Sequence, residues 1–416
     1  MKLDFGYGNT IQSVEVPDGN LIAELMSNPI DHKRTGVSAV DYALQNPIGA
    51  KRLSENDLSI KKIAIITSDI SRPLPSWDIM PSLLDELYAA GASKENITVV
   101  LALGSHREHT EGEKKHLVGE RCFDEVEVVD SNINDCVSLG KTKQGTPIDF
   151  DKRVVDADFR IALGNVEFHY FAGYSGGYKP LMPGVSTPSA IQANHSMMTH
   201  PKAVAGNMDG NPVRDDINEA GSKLGLDFIV NAVLDEHKNI VFAAAGDVYK
   251  AHEEACTYLD KMYRCPIPEK ADIVLVSQGG APKDANLYQT QKALENAKYA
   301  VKDGGTIIVI GACPEGLGSA KFESWFKEAN APSELIERVE TDFELGGHKA
   351  AAIAMVLDFA EIDLISEMDP GFVRSLFLNP KASAQEAFTD ALEKYGDDAK
   401  VIAMPYGGAT LPVLNK

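Results

Sequence analysis

Cysteine and tryptophan are scarce in this chain: five Cys and two Trp among 416 residues. The cysteines, Cys122, Cys136, Cys256, Cys265 and Cys313, are odd in number and never spaced as CxxC. That argues against a disulfide framework and against a thiolate zinc site. Positive charge is also in short supply. Forty Lys and Arg stand against 61 Asp and Glu, a formal charge of -21, and no basic run is interleaved with aromatics, so no nucleic-acid partner is expected. Absent too is any apolar run that approaches a bilayer span. The opening MKLDFGYGNT has neither the basic region nor the apolar core of a secretory signal. No membrane association is expected, and the cytoplasm is the expected address. An anionic ligand must be met by a few basic residues set inside a pocket.

What is present reads as an ordinary globular protein, 44% hydrophobic and 24% charged. Its length exceeds what one core usually organises, so two domains are expected. Short Val- and Ile-rich runs recur at 62–68, 96–104, 126–132, 159–167, 272–280, 306–312 and 400–408, the pattern of buried parallel strands. Helical periodicity lies between them, at 76–91 and at 324–340, the second interrupted near Pro332. The alternation predicts an α/β protein with two α/β domains, mostly parallel sheets and an active site in the cleft between them. The proline-bracketed RCPIPEKAD (264–272) marks the boundary. The expected division is 1–266, with 400–416 assignable to either half, and 270–399.

Four strand ends run into loops with unusual chemistry: TSDISRP, GSHREHT, GNVEFHYFAGYSGGYKPLMPGV and SQGGAPKDANLYQTQK. Ligands of open α/β sheets sit beyond the carboxyl ends of strands, so these loops are candidates to converge. Six of the ten histidines lie between residues 106 and 200. His106 directly follows a strand, and His109 three residues on makes HREH a possible helical metal pair; the plainer reading of His109 and His116 is polar residues at a helix start. His169 precedes a loop with Gly176 and Gly177, where backbone can approach a ligand closely or form an anion nest. The loop matches neither GxGxxG nor the P-loop pattern. Lys179 lies in GGYKPLMPG, whose apolar, rigid surroundings favour a desolvated, nucleophilic amine. His195 follows, with His200 as the alternative ligand. Arg72 has the fork that suits a carboxylate, with Asp69 to orient it or to contact a cofactor hydroxyl; a structural Asp–Arg pair is the alternative. Gln289 and Lys292 are spaced i,i+3 on an expected helix and share a face.

Together with QANHSMMTHP and GNMDGNPVRDDI, these loops resemble the lactate racemase family, enzymes that use a nickel-pincer nucleotide cofactor, over residues 60 to 300 and in the same order. The resemblance implies an isomerase that inverts the C2 carbinol centre of a small anionic 2-hydroxy acid. Its cofactor would be pyridinium-3,5-bisthiocarboxylic acid mononucleotide nickel, covalently attached through Lys179, with His195 as the metal ligand and Asp69, Gly176 and Gly177 as cofactor contacts. His106 and His169 would be the acid/base pair, and Arg72, Gln289 and Lys292 the substrate contacts. Accessory proteins would build the cofactor and insert nickel.

Two histidines suit such a reaction. The C2–H of a hydroxy acid is poorly acidic, so loss of the hydroxyl proton to one imidazole accompanies hydride transfer, and the planar keto acid takes the hydride back on its other face while the second imidazole returns a proton. The SDISRP and GSHREHT loops differ from the versions associated with lactate itself, which makes Ile70, Glu108 and His109 candidates to line a different pocket. The competing readings are a divalent-metal or Schiff-base enzyme using Lys179 and the histidines, and a ligand-binding homologue without catalysis.

Overall fold

The computed structural model describes residues 1–415 and divides them into two compact units, Ile30–Lys261 and the segment Met1–Pro29 together with the chain from Met262 onward. The first unit is built on six strands: β1 (Ile63–Ser68), β2 (Ile97–Ala102), β3 (Glu127–Asp130), β4 (Phe159–Val166), β5 (Phe228–Leu234) and β6 (Ile240–Gly246), ordered β6-β5-β4-β1-β2-β3. All neighbours are parallel except β5 and β6. The expected strands at 62–68, 96–104, 126–132 and 159–167 are therefore all in this sheet. Ile63, Ile65, Val99, Ile161 and Leu163 pack with Leu83, Leu84 and Leu87 of the helix Ser76–Ala89 in one apolar core. Their unbroken apolar runs follow from cover on both faces, the normal state of a parallel sheet.

The strand order places a topological switch point between β1 and β4. The chain proceeds from β1 outward through β2 to β3, then returns to the other side of β1 as β4 and continues outward to β5 and β6. Loops leaving β1 and β4 at their carboxyl ends diverge to either side and leave a crevice there. The TSDISRP and GNVEFHYFAGYSGGYKPLMPGV segments are those two loops, and GSHREHT leaves the adjacent β2.

The second unit holds a six-stranded sheet in the order Asn379–Lys381, Glu361–Ile365, Val301–Ile310, Ala271–Ser277, Val401–Met404, Leu21–Glu24, with every neighbouring pair parallel. The expected helix at 324–340 is two helices, Ala320–Glu328 and Pro332–Thr341, with Pro332 opening the second, where its missing N–H costs nothing.

The expected assignment of residues 1–266 to one domain is corrected at its N-terminal end, and the open placement of the final strand falls to the second unit. Leu21 pairs with Val401 across the sheet, and the hairpin Lys2–Tyr7 with Thr10–Glu15 buries Leu3, Phe5 and Val14 against Ile308 and Phe388. Leu411–Leu414 pairs with Arg264–Ile267. The first 29 residues and the last sixteen thus both complete the second unit, because only there do their edges find hydrogen-bonding partners. All five cysteines are free thiols. No helix among the described residues is long and apolar enough to cross a membrane.

Candidate active site

The β1 and β2 loops meet at Asp69 and His106. His106 Nδ1 lies 2.8 Å from the Asp69 carboxylate, which also accepts the Ser71 hydroxyl at 3.0 Å. Burial opposes ionisation of Asp69, but the hydrogen bond and charge of His106, with Ser71 and Arg72, outweigh it and hold the carboxyl below its usual value. Asp69 therefore orients His106, and when the ring is neutral the lone pair stands on Nε2. The alternative of an Asp69–Arg72 pair is not what forms. Arg72 makes only a backbone turn bond from its N–H to Asp69 O, and its exposed guanidinium has no side-chain partner among the described residues.

His109 is corrected from ligand or pocket candidate to structural residue. The HREH stretch is a turn and loop, and the helix starts at Glu111. The buried His109 ring receives the Ile70 N–H on Nε2 at 3.1 Å, and its Nδ1 donates to Asp130 at 2.5 Å. Both nitrogens are used, and what they do is pin the β1 loop to the end of β3. His116 stacks on Trp77. His200 is an exposed residue whose Nδ1 accepts the Lys202 N–H, a local turn contact.

The long β4 loop carries His169 and Lys179. His169 is oriented by the Ala172 N–H at 3.3 Å from Nδ1, by stacking on Tyr170 and by the edge of Phe171. Burial, then the charges of Lys179, His195, Arg72 and Arg214, push its pKa well below the ordinary imidazole value, so the ring is neutral at neutral pH. Lys179 is half-buried, and its amine makes no hydrogen bond or ion pair among the described residues. Desolvation first, then Arg214 and Arg72, lower its pKa well below the usual lysine value; Glu167 opposes them weakly. An amine in that state carries the lone pair that bond formation needs. These shared influences show that Arg72, His169, Lys179 and His195 occupy one electrostatic neighbourhood of the first unit.

His195 ends the helix Pro188–His195, which is started by Thr187 as N-cap and Pro188 at the first position. Its Nδ1 donates to Asn194 Oδ1 at 3.1 Å. The direction is fixed because the Asn194 amide nitrogen is already spent on Val213 O and on Asp216 at 2.8 Å. The lone pair of neutral His195 consequently sits on Nε2, the arrangement in which a second partner prepares a histidine for a metal. Among the described residues no three His, Cys, Asp or Glu side chains come together to hold a metal.

The expected anion nest at Gly176 and Gly177 is not formed at Gly177, whose N–H is taken by the buried Asn231 side chain at 3.1 Å. Both glycines have left-handed backbones, φ 78° and 62°, and a Cβ on Gly176 would stand 2.8 Å from Asn231 Oδ1. Their small size serves packing of the loop against β5 and the helix Val248–Tyr263. Gln289 and Lys292 lie, as expected, on one helix, Leu287–Ala297 of the second unit, capped by Asn286. A cavity of about 460 Å³ lined by Tyr174, Tyr178, Asn207, His252 and Glu253 among others includes none of Arg72, His106, His169, Lys179 or His195.

Sequence reasoning missed the residues that hold the β4 loop. Its carbonyls are met one by one by buried side chains: Phe171 O by Asn211 at 2.9 Å, Ser175 O by His252 at 2.7 Å, and Ala172 O, Tyr174 O and Gly176 O by Arg214. Irregular backbone can be buried only when so satisfied. The Asn-Pro signal in GNPVRDDI did mark a helix start there, with Asn211 as N-cap of Pro212–Leu224, but nothing local says which way Arg214 faces.

Fold and loops together define an α/β protein whose switch-point loops carry a lysine with a lowered pKa and two imidazoles of different surroundings. Family models for the lactate racemase N-terminal domain and the lactate racemase C-terminal domain match residues 7–206 and 267–411. The lactate racemases of Thermoanaerobacterium thermosaccharolyticum and Lactiplantibacillus plantarum are 33% and 31% identical to the chain, each alignment covering 98% of both proteins. The structure of the lactate racemase apoprotein from T. thermosaccharolyticum superposes with a TM-score of 0.91 at 31% identity over the whole of both chains. A Thermotoga maritima protein of 20% identity, TM-score 0.65 over 90% of this chain and 97% of its own, shares the fold. The chain belongs to the lactate racemase family and is an isomerase of the racemase type.

Proposed function

We propose that the protein racemises or epimerises a small, lactate-like 2-hydroxy acid at C2, with a nickel-pincer nucleotide tethered through Lys179 and its nickel bound by His195. The observation that carries this reading is the Lys179 amine: desolvated, flanked by cationic side chains and without a partner among the described residues, it is fitted to a covalent bond rather than to an ion pair. The residues present suit the group, since the Asn194 contact at Nδ1 sets the tautomer that places the His195 lone pair on Nε2. When bound, the cofactor supplies the hydride acceptor and donor at the substrate carbon.

The chain's own groups do the rest. Arg72, exposed and free of the Asp69 carboxylate, takes the substrate carboxylate through its planar fork. Gln289 and Lys292 are proposed as further substrate contacts, and Gly176 and Gly177 as the hinge-free turn that presents Lys179. His169, held neutral by burial and nearby cations, accepts the hydroxyl proton of one enantiomer. His106, steered by Asp69, handles the proton on the other face, so that the keto acid can be reduced from either side. Loading of the cofactor is expected to depend on accessory proteins.

The test uses protein made with and without those accessory functions. Nickel in the loaded protein, a mass increment on the Lys179 peptide that Lys179→Ala abolishes, and interconversion of enantiopure 2-hydroxy acids followed by chiral chromatography are expected. A loaded, nickel-containing protein with an unmodified Lys179 would overturn the tether. One that is modified but leaves every 2-hydroxy acid optically unchanged would overturn the substrate class.

A further inference from the structure

Arg214 is the one fully buried cation that the proposed reaction does not use. It has no solvent exposure and no carboxylate partner among the described residues. Its Nε donates to Ala172 O at 3.1 Å, Nη1 to Gly176 O at 3.4 Å and Nη2 to Tyr174 O. All three acceptors lie between His169 and Lys179. The position is costly twice over. A buried charge without a counter-ion is disfavoured, and Arg214 occupies the first turn of the helix Pro212–Leu224, where the macrodipole repels a cation. A neutral side chain able to donate hydrogen bonds would satisfy much of the same backbone without those costs.

We propose that Arg214 is the positioning residue for Lys179, acting through the backbone it clamps and through the unpaired charge it places beside the amine. The clamp fixes the path of the loop from His169 to Lys179. The charge acts against a second positive charge nearby. The charged and titratable groups coupled to Lys179 are Arg214, Arg72, Glu167, His169 and His252. Arg214 stands first among the charges on Lys179 and, unlike Arg72, is sealed from the solvent that screens charge. The guanidinium itself is depressed to about 10 by burial and so stays charged across the working range. This inference rests on Lys179 as the reactive amine but not on what that amine binds.

The test is competitive acetylation of the full-length, cofactor-free chain over pH 6 to 11, with the Lys179 peptide and the exposed Lys51 peptide quantified by mass. Wild-type Lys179 is expected to reach half-maximal reactivity at lower pH than Lys51. In Arg214→Gln the Lys179 midpoint rises, so that labelling below it falls about tenfold. A folded Arg214→Gln with the wild-type midpoint overturns the proposal. If Arg214→Gln does not fold, a wild-type Lys179 midpoint no lower than that of Lys51 does the same. Loss of cofactor tethering with these shifts intact would instead count against the functional reading alone.

Discussion

Replacing Asp69 by Asn keeps the shape of the side chain and removes the charge that steers His106. What is weakened is a part-buried, charge-assisted contact of 2.8 Å, worth at most about 1.5–3 kcal/mol. If that interaction is realised when His106 carries a proton in the transition state, kcat falls roughly 13- to 160-fold at about 1.36 kcal/mol per decade. KM should change little, because Asp69 does not hold Arg72 by an ion pair. The assay is the initial rate of enantiomer interconversion by loaded enzyme, with the extent of modification of the Lys179 peptide measured in the same sample. Stability supplies an independent check. The folded-state pKa of Asp69 is below its unfolded value near 3.8, so the carboxylate stabilises the fold above that pH and the contribution disappears as pH falls through the folded value. The gap in unfolding free energy between wild type and Asp69→Asn should therefore be present at pH 6 and narrow as pH falls below about 3.8. A fully loaded Asp69→Asn enzyme retaining half of the wild-type kcat would refute the steering role.

Three further outcomes follow from the same geometry. Asn194→Ala removes the partner that fixes the His195 tautomer and should weaken nickel retention about 10- to 100-fold, read by metal analysis after dialysis against a chelator; unchanged retention argues that Asn194 has no part in it. His109→Ala removes the acceptor of the Ile70 N–H and one donor of the Asp130 carboxylate, which keeps the His109 N–H and Lys114, and should cost about 1–3 kcal/mol of stability in denaturant titration, with kcat reduced less than in Asp69→Asn. A loss under about 1 kcal/mol contradicts the structural assignment. Because the folded pKa of His169 is lowered, the unfolded chain takes up its proton first. Wild type should lose stability relative to His169→Asn as pH falls below 6.5, by up to about 1.4 kcal/mol per pH unit, and parallel curves from pH 7.5 to 5 would exclude a neutral, buried His169.

Local pattern carried much of the architecture. The apolar runs Ile63–Ile66, Val99–Leu101 and Ile161–Val166 announce buried strands because each must be covered on both faces, and Pro332 announces a helix start because it lacks an N–H. What local pattern does not carry is strand order. Nothing in Leu21–Glu24 says that its partner is Val401, so the first 29 residues were assigned to the wrong unit. The candidate residues Lys179, His169 and His195 were legible from residue type and loop context, and Asp69 from its place at a strand end. His109 was open between ligand and plain structural residue because histidine at a loop looks the same whether its nitrogens meet a ligand or meet Asp130 and Ile70. Arg214, Asn194, Asn211 and Asn231 stayed hidden because their work is done on the backbone of a distant segment, which leaves no periodicity or spacing to read.

The split of the second unit between the two ends of the chain also sets an order of assembly during synthesis. Asn20 must wait for a carbonyl acceptor 379 positions downstream at Ala399, whereas every strand of the first unit's sheet has left the ribosome once residue 246 has emerged. The segment bearing Lys179, His106 and His169 can therefore mature while the N-terminal hairpin still waits for its sheet on the nascent chain, and a premature stop between residue 261 and Val401 would release that segment on a piece whose companion sheet lacks the strand that pairs with Leu21–Glu24.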